Sequence, residues 1–468
     1  MSMSTEHFVG RKSAAKQLQS VLIGEKKAGG NLAIQSIEGP GGIGKTCLFD
    51  HAADGIDLTS RNYLTLRIDG NSLAADTIEQ AILGLIDSAQ VDSILNHTPR
   101  YYFPTVQQVV KEIEAIRIEA TAEFKKSHEN KNANEDFQKF LNWAFSAGEK
   151  INDVLPDTKK YINFQKAKSF QPLIEEALPL MKSLQEESPR FWERLGLGDS
   201  TALRNSIKSN ACAALSRAFL SDLAAILSGY QKKDTFKATH PKVKGMDRLL
   251  LILDDYEKLQ DLIGAFLVGH LLLQLNSAGF ESVVIILGRD QLEATDPSWD
   301  QHLKKHLLPR IALTPLSQPE MNELVESYGV EEPDEKERVW RDTQGYPFYV
   351  QLWTEELSSG GRNALMLKRF HDRTTRWMND QQRKWLQHIL FLDEINIRTL
   401  QKMLDNEREA SDVFNWFQHE GSIRDTSGTT FRVREYLRSR LIDYLQISDP
   451  DRREQLQKKG EIALSIQR

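Results

Sequence analysis

The chain has 468 residues, length for about three domains of roughly 150 residues each, and carries 60 Lys plus Arg against 66 Asp plus Glu, a formal charge of −6. That balance excludes a surface-wide electrostatic footprint for nucleic acid, and the two cysteines, Cys47 and Cys212, stand in no disulfide or metal-type spacing. No signal peptide opens the sequence, and its most apolar run, Leu262 to Leu275, is short and contains His270; it reads as buried helix, and the protein is expected to be soluble and cytoplasmic with no membrane partner.

The first element is HFVGRKSAAKQLQSVL, in which Gly10 and Arg11 precede a helix with Ala15, Leu18 and Leu22 on one face. A strand-like run from Leu32 leads to GPGGIGKT, which meets the spacing G-x-x-x-x-G-K-[ST] with Gly39, Gly44, Lys45 and Thr46. The glycines Gly39, Gly41, Gly42 and Gly44 can take positive φ, so successive N–H groups turn inward as a nest for β- and γ-phosphates at a helix N-terminus. Lys45 is expected in a solvent-facing loop, reaching the phosphate oxygens, and Thr46 is a candidate Mg²⁺ ligand. The whole stretch Gly39, Pro40, Gly41, Gly42, Ile43, Gly44, Lys45, Thr46 and Cys47 is the candidate binding segment for ATP or ADP, with Cys47 a buried thiol behind the loop. Gly10 and Arg11 lie about one helix and one loop upstream, where adenine-recognising segments occur in one branch of the P-loop enzymes.

After a second strand at Tyr63 to Gly70 and an apolar helix ending near Ile86, the pattern from about Asp92 to Gly245 turns wholly helical. Val106, Val109, Val110, Ile113 and Ile116 share one face, as do Phe137, Phe140, Leu141, Ala144 and Phe145, and Leu215, Phe219, Leu223 and Ile226. Prolines at 104, 156, 172, 179 and 189 divide it. Its use is either packing around the sheet or recognition of a partner; Tyr101, Tyr102, Trp143, Phe191 and Trp192 are too scattered to choose.

The apolar strand RLLLILDDYEKL ends in Asp254 and Asp255. Behind a phosphate loop, the first acid is the candidate metal residue and the second the candidate general base, with Glu257 as competitor. A further buried strand, Ser282 to Asp290, places Arg289 just past its end, either to contact a γ-phosphate or to pair with Asp290. A strand from Arg310 to Met321 follows, its exit entering a helix capped by Ser317.

The run Phe8-Val9-Gly10-Arg11, GPGGIGKT, LLLILDD, Arg289, the L-x-P-L-S element and QGYPFYVQLW resembles, in order and spacing, the STAND ATPases, the signal-transduction relatives of the AAA+ group. The resemblance implies an ATP-driven switch, with Gly10 and Arg11 near the adenine and Pro347 capping the base from a helical lid. The insertion exceeds that family's usual spacer, and no sensor or effector domain of the family is visible at either end.

The last third has a winged-helix pattern: helices at Gln381 to Leu392, Ile397 to Leu404 and Ala410 to His419, two short strands about a Thr-Ser-Gly-Thr turn, and a helix from Glu435 to Leu445. The family's short phosphate-sensing His motif is here Phe431 to Glu435, without His, which leaves Arg434 as the candidate substitute. Asp405, Glu407, Glu409, Asp412 and Glu420 on the recognition-helix position repel DNA, and Arg424, Arg432 and Arg434 on the wing are the only part suited to it. The tail beyond Asp449 reads as one exposed helix.

The expected fold is therefore an α/β P-loop NTPase core, a parallel sheet with flanking helices, plus helical insertion, lid and winged helix, over 1–91, 92–245, 246–315, 316–375, 376–447 and 448–468. The expected function is a Mg²⁺-dependent ATPase switch whose nucleotide state sets homo-oligomerisation or the engagement of a protein partner or effector in trans. The alternative is an AAA+ DNA-associated ATPase resembling origin-recognition initiators, and a third possibility is an ATP-binding scaffold with negligible turnover.

Overall fold

A computed structural model of the chain describes residues 8–25, 28, 30–56, 58, 61–95, 103–127, 207, 210–227, 247–358, 364–376, 378–404, 406–420, 422–425 and 430–465. Its centre is a five-stranded sheet in the order β2-β3-β4-β1-β5, formed by β1 (Leu32–Glu38), β2 (Tyr63–Asp69), β3 (Arg248–Asp254), β4 (Glu281–Gly288) and β5 (Ile311–Ala312). The pairs β2 with β3, β3 with β4 and β1 with β5 are parallel, in a register that sets Asp69 beside Asp254. β1, β3 and β4 are almost wholly buried, which is why β3 and β4 read as continuous apolar runs, while β1 carries Gln35, Ser36 and Glu38 among its apolar residues. Gln35, fully buried on β1, is accommodated because its Nε2 donates to the carbonyls of Ser36 and Pro309, each at 2.9 Å.

The chain divides into two compact units, Met1–Gln17 with Ile37–Gly55 and Ile311–Arg468, and Leu18–Ser36 with Ile56–Arg310. In the second unit α3 (Ile78–Leu95), α4 (Pro104–Ser127) and α5 (Ala211–Leu227) cover the sheet. Val106, Val109, Val110, Ile113 and Ile116 from α4, and Leu215, Phe219, Leu223 and Ile226 from α5, belong to the same core as Leu249, Leu251 and Leu253 of β3. These two ends of the insertion therefore supply core packing; the Phe137 to Phe145 face, the later prolines and the aromatics Tyr101, Tyr102, Trp143, Phe191 and Trp192 lie outside the described residues. The apolar run from Leu262 continues α6 (Tyr256–Phe266) through a π-helical turn at Leu267–Leu271 into Leu272–Leu275. Among the described residues no helix is long and apolar enough to cross a membrane.

The first unit holds α2 (Lys45–Asp54), α7 (Gln318–Ser327), α8 (Pro333–Thr343), α9 (Pro347–Ser358) and α10 (Ala364–Thr375), followed by α11 (Asp380–Ile389), α12 (Ile397–Leu404), α13 (Glu407–His419), α14 (Glu435–Ser448) and α15 (Pro450–Ser465). α1 (Lys12–Leu22) runs from this unit into the other. The strand expected from Arg310 to Met321 shrinks to Ile311–Ala312, because Pro315 has no N–H for a ladder and α7 begins at Gln318. Ser317 caps α7 in a capping box with Glu320, as the sequence suggests.

After α13 an antiparallel bridge joins Arg424 to Val433, and Ile395 N–H donates to the Phe431 carbonyl, the strand pairing of a wing; the turn at 426–429 lies outside the described residues. α15 is not a loose tail. Leu456 and Ala463 are buried, and Gly460 lies so close to Phe391 that an added Cβ would stand 2.5 Å from its carbonyl oxygen.

Candidate functional site

Gly39, Gly42 and Gly44 have φ of 145°, 75° and 95°, whereas Gly41, also expected to need positive φ, does not. A Cβ at Gly39 would stand 3.0 Å from the Leu313 carbonyl, and one at Gly44 would meet an Arg11 guanidinium nitrogen at 2.8 Å. The loop thus requires glycine both for conformation and for clearance, and it delivers the chain into α2 with N–H groups at the helix N-terminus. Lys45 differs from its expected solvent-facing place. It is 5% exposed, and its Nζ donates to the carbonyls of Gly39 at 2.8 Å and Pro40 at 3.3 Å, because the loop wraps around its own lysine. Phosphate oxygens, as charged acceptors, make stronger bonds to an ammonium than these carbonyls do. Cys47 is half-buried, not fully buried, and burial pushes its thiol up to about 11, so it is protonated at neutral pH.

Gly10 and Arg11 both have positive φ, 66° and 51°. The turn is gripped by Glu320: Arg11 N–H donates to its Oε1 at 3.2 Å, while Ser317 N–H and Oγ donate to Oε2 at 2.9 and 2.8 Å. Those bonds from Ser317, then from Arg11, hold the Glu320 carboxyl below its ordinary range. Arg11 Nη2 donates to the Thr314 carbonyl at 3.1 Å, and burial lowers its guanidinium to about 10, still cationic at pH 7. Arg11 therefore sets its charge beside Gly44, at the end of the loop.

The lid reaches the same loop. Tyr346 Oη donates to the Gly41 carbonyl at 3.1 Å, and Phe348 lies against Gly42, where an added Cβ would be 2.8 Å from the Phe348 Cβ. Pro347 between them is buried as the first residue of α9. Neither Tyr346, Phe348 nor Glu320 is marked by the sequence reading, although all three sit inside segments it singles out; the Ser-x-x-Glu spacing of a capping box could have flagged Glu320.

In the second unit, Asp254 is buried at the end of β3, its Oδ2 3.0 Å from Arg67 Nη2 and its Oδ1 accepting from Asp255 N–H at 3.1 Å. Asp255 is half-buried with φ 49°, the left-handed residue that turns β3 into α6. Gly70 N–H donates to the Asp254 carbonyl at 3.0 Å, so β2 and its exit clamp the acid turn. Arg67 was not anticipated; a cation in the strand YLTLRID, one strand over from the acid pair, is the signal that could have found it. Arg289 forms an ion pair with Glu257 at 3.1 Å, because α6 brings Glu257 back to the end of β4. The same pair occupies the carboxylate of the rival base candidate.

Each wing arginine has a partner within the chain. Arg434 is 3% exposed, Arg432 Nε is 2.6 Å from Asp425 Oδ2, and Arg424 Nη1 donates to the Gln418 carbonyl at 2.6 Å with its guanidinium over Phe431. Asp425 is buried and holds Arg432, whose side chain stays half exposed.

No family model matches this chain, and no curated protein sequence matches it. Among solved structures it is similar to a Walker-type ATPase of Pyrococcus abyssi, with 13% identity and a TM-score of 0.45 over 93% of this chain and 96% of that one. It is similar also to the Orc1 protein of Aeropyrum pernix, solved in complex with DNA, with 12% identity and a TM-score of 0.38 over 95% and 93% of the chains. The Cdc6p protein of Pyrobaculum aerophilum aligns at 11% identity and a TM-score of 0.35, covering 98% and 95%.

Proposed function

We propose that the protein is a Mg²⁺-dependent ATPase of the AAA+ type that works as a STAND-like switch, its nucleotide read by the lid and winged helix. The observation that carries this reading is the loop itself: Gly39, Gly42 and Gly44 at positive φ before α2, with Arg11, Tyr346 and Phe348 drawn against it. A surface turn has no need of such a lid. ATP or ADP would bind along residues 39–47, through the backbone N–H groups of all but Pro40 and the Lys45 ammonium, with Gly10, Arg11 and Pro347 on the segments around the loop. Bound Mg²⁺ would supply charge neutralisation at the phosphates, held by the Thr46 hydroxyl and, through water, by Asp254. Asp255 would accept a proton from the attacking water, and Arg289 would sense the γ-phosphate once released from Glu257.

A protein effector in trans and a nucleotide-dependent homo-oligomer follow from the same reading. DNA association fits less well, because Arg434 is buried against Gln344, Arg432 is paired with Asp425 and α13 is acidic.

Steady-state phosphate release tests the assignment of the acids. Asp255→Asn should slow turnover far more than it weakens ATP binding, and Asp254→Asn should chiefly change the dependence on Mg²⁺. Normal hydrolysis by Asp255→Asn would remove it as the base.

A further inference from the structure

The phosphate loop and the wing are joined, within the first unit, by a continuous chain of contacts. Tyr346 Oη donates to the Gly41 carbonyl at 3.1 Å. The Arg434 guanidinium stands 5.0 Å from the centre of the Tyr346 ring, and its Nη1 donates to Gln344 Oε1 at 2.5 Å. Gln344 Nε2 donates in turn to Asp425 Oδ1 at 3.0 Å, and Asp425 holds Arg432 across the wing. Tyr346 and Arg434 are 1% and 3% exposed. Gln344 has φ 52° at the end of α8, a conformation unusual for a side-chain-bearing residue and one that turns its amide toward the wing.

The peptide unit explains why the first contact matters. The Gly41 carbonyl and the Gly42 N–H belong to one planar trans amide, so fixing the direction of the oxygen fixes the opposite direction of the N–H. Gly42 has φ 75° and its N–H is one of the donors that the loop offers to phosphate. Any rotation of that N–H toward an anion must move the carbonyl against Tyr346.

We infer that Tyr346 is a positioning residue for the Gly42 N–H of the loop, and that Arg434 and Gln344 convey its position to the wing, so that nucleotide binding is read at Asp425. This rests on the reading of residues 39–46 as a nucleotide loop and adds the route by which the winged helix responds. Arg434, the residue left in place of the family's phosphate-sensing His, thereby acts on the loop through an aromatic ring and not on phosphate itself. A hydrogen-bonded Gln between two buried charged groups leaves little slack: a shift at either end changes a pairing at the other.

The test uses the full chain, ADP with Mg²⁺ and a slowly hydrolysed ATP analogue with Mg²⁺, and two readouts: nucleotide affinity, and amide hydrogen exchange of peptides covering residues 422–434. Tyr346→Phe deletes the hydroxyl and keeps the ring; Arg434→Gln deletes the cation. In the unmodified chain, the ATP analogue should change the exchange of the wing peptides. Tyr346→Phe should bind the analogue about 2- to 10-fold more weakly, the range for one lost hydrogen bond, and at saturation should leave the wing exchange unchanged. Arg434→Gln should bind with near-normal affinity and lose the wing response, and Arg434→Lys should restore part of it.

A Tyr346 that served only to stabilise the lid would lower the melting temperature without separating binding from the wing response. If saturated Tyr346→Phe shows the same wing change as the unmodified chain, the relay is wrong. It is wrong too if the unmodified chain binds the analogue and its wing does not respond, an outcome that leaves the nucleotide loop standing. Failure of the unmodified chain to bind any nucleotide overturns both. If Arg434→Gln does not fold, Tyr346→Phe alone decides.

Discussion

Lys45 is the residue on which chemistry and packing coincide, since its ammonium is buried against the carbonyls of Gly39 and Pro40. Either Ala or Met removes the donor to those carbonyls, but Ala also leaves a hole, so Lys45→Met, which keeps the stem, is the cleaner probe. It should weaken ATP binding by about 10- to 100-fold, as expected for loss of a charged hydrogen-bond donor. The thermal midpoint should fall only slightly. Glu320 is a second such residue: Glu320→Gln keeps the shape and loses the charge that holds Arg11 and Ser317. Its measurable effect should be weaker nucleotide binding through a loosened Gly10–Arg11 turn. The glycines, Lys45, Thr46 and Asp254 are marked as candidates by a local motif and a strand end, and of that reading the fold bears out the positive φ of Gly39, Gly42 and Gly44. Tyr346 is not so marked, since it gains its role from Gly41, far away in sequence, whereas Arg67 and Glu320 carry local signals but meet their partners, Asp254 and Arg11, only in the fold.

Among the elements, α11 and α15 carry a pH dependence. His388 Nδ1 on α11 donates to the Lys384 carbonyl at 2.7 Å, and its Nε2 stands 3.5 Å from Arg452 Nη2 on α15. Burial first, then the charges of Arg452 and Lys459, push its imidazole below the ordinary 6.5, against the Lys384 carbonyl and Glu409, which pull it up. The unfolded chain therefore binds the proton more readily than the folded one. Stability from this site is intact above about 6.5 and falls as pH drops below it, until the folded imidazole protonates as well. Melting at pH 7.5 and 5.5 should show a larger acid loss in the unmodified chain than in His388→Gln. Equal losses would remove His388 from the account. Gly460→Ala in α15 should destabilise the C-terminal helices by about 1–3 kcal/mol, the usual cost of overpacking, because its methyl would run into Phe391; hydrogen exchange in α11 and α15 reports it directly. Periodicity revealed these helices, and α12 lies where the pattern puts it. It did not reveal that the tail packs, because Leu456, Gly460 and Ala463 make only a thin apolar stripe on a charged helix.

At the scale of the whole molecule, the long insertion is partly core. α4 and α5 share apolar packing with β2, β3 and β4, so replacing residues 92–245 with a Gly/Ser linker should yield insoluble protein. Replacing only residues 128–206 spares those helices and should leave a folded chain that binds ATP; loss of stimulation by a partner in that variant would assign sensing to the removed segment. The parallel sheet was legible because β3 and β4 are doubly buried apolar runs and β1 leads straight into the glycine loop. The division into two compact units was not, since it cuts through β1 between Ser36 and Ile37, inside one continuous pattern. The central claim is that the loop at residues 39–46 binds Mg²⁺-ATP. Calorimetric titration of Mg²⁺-ATP into the unmodified chain and into Lys45→Met tests it most directly. The account predicts one saturable site whose affinity drops about 10- to 100-fold in the variant while both proteins melt alike. Equal affinity in the two, or no binding by the folded unmodified chain, would contradict it.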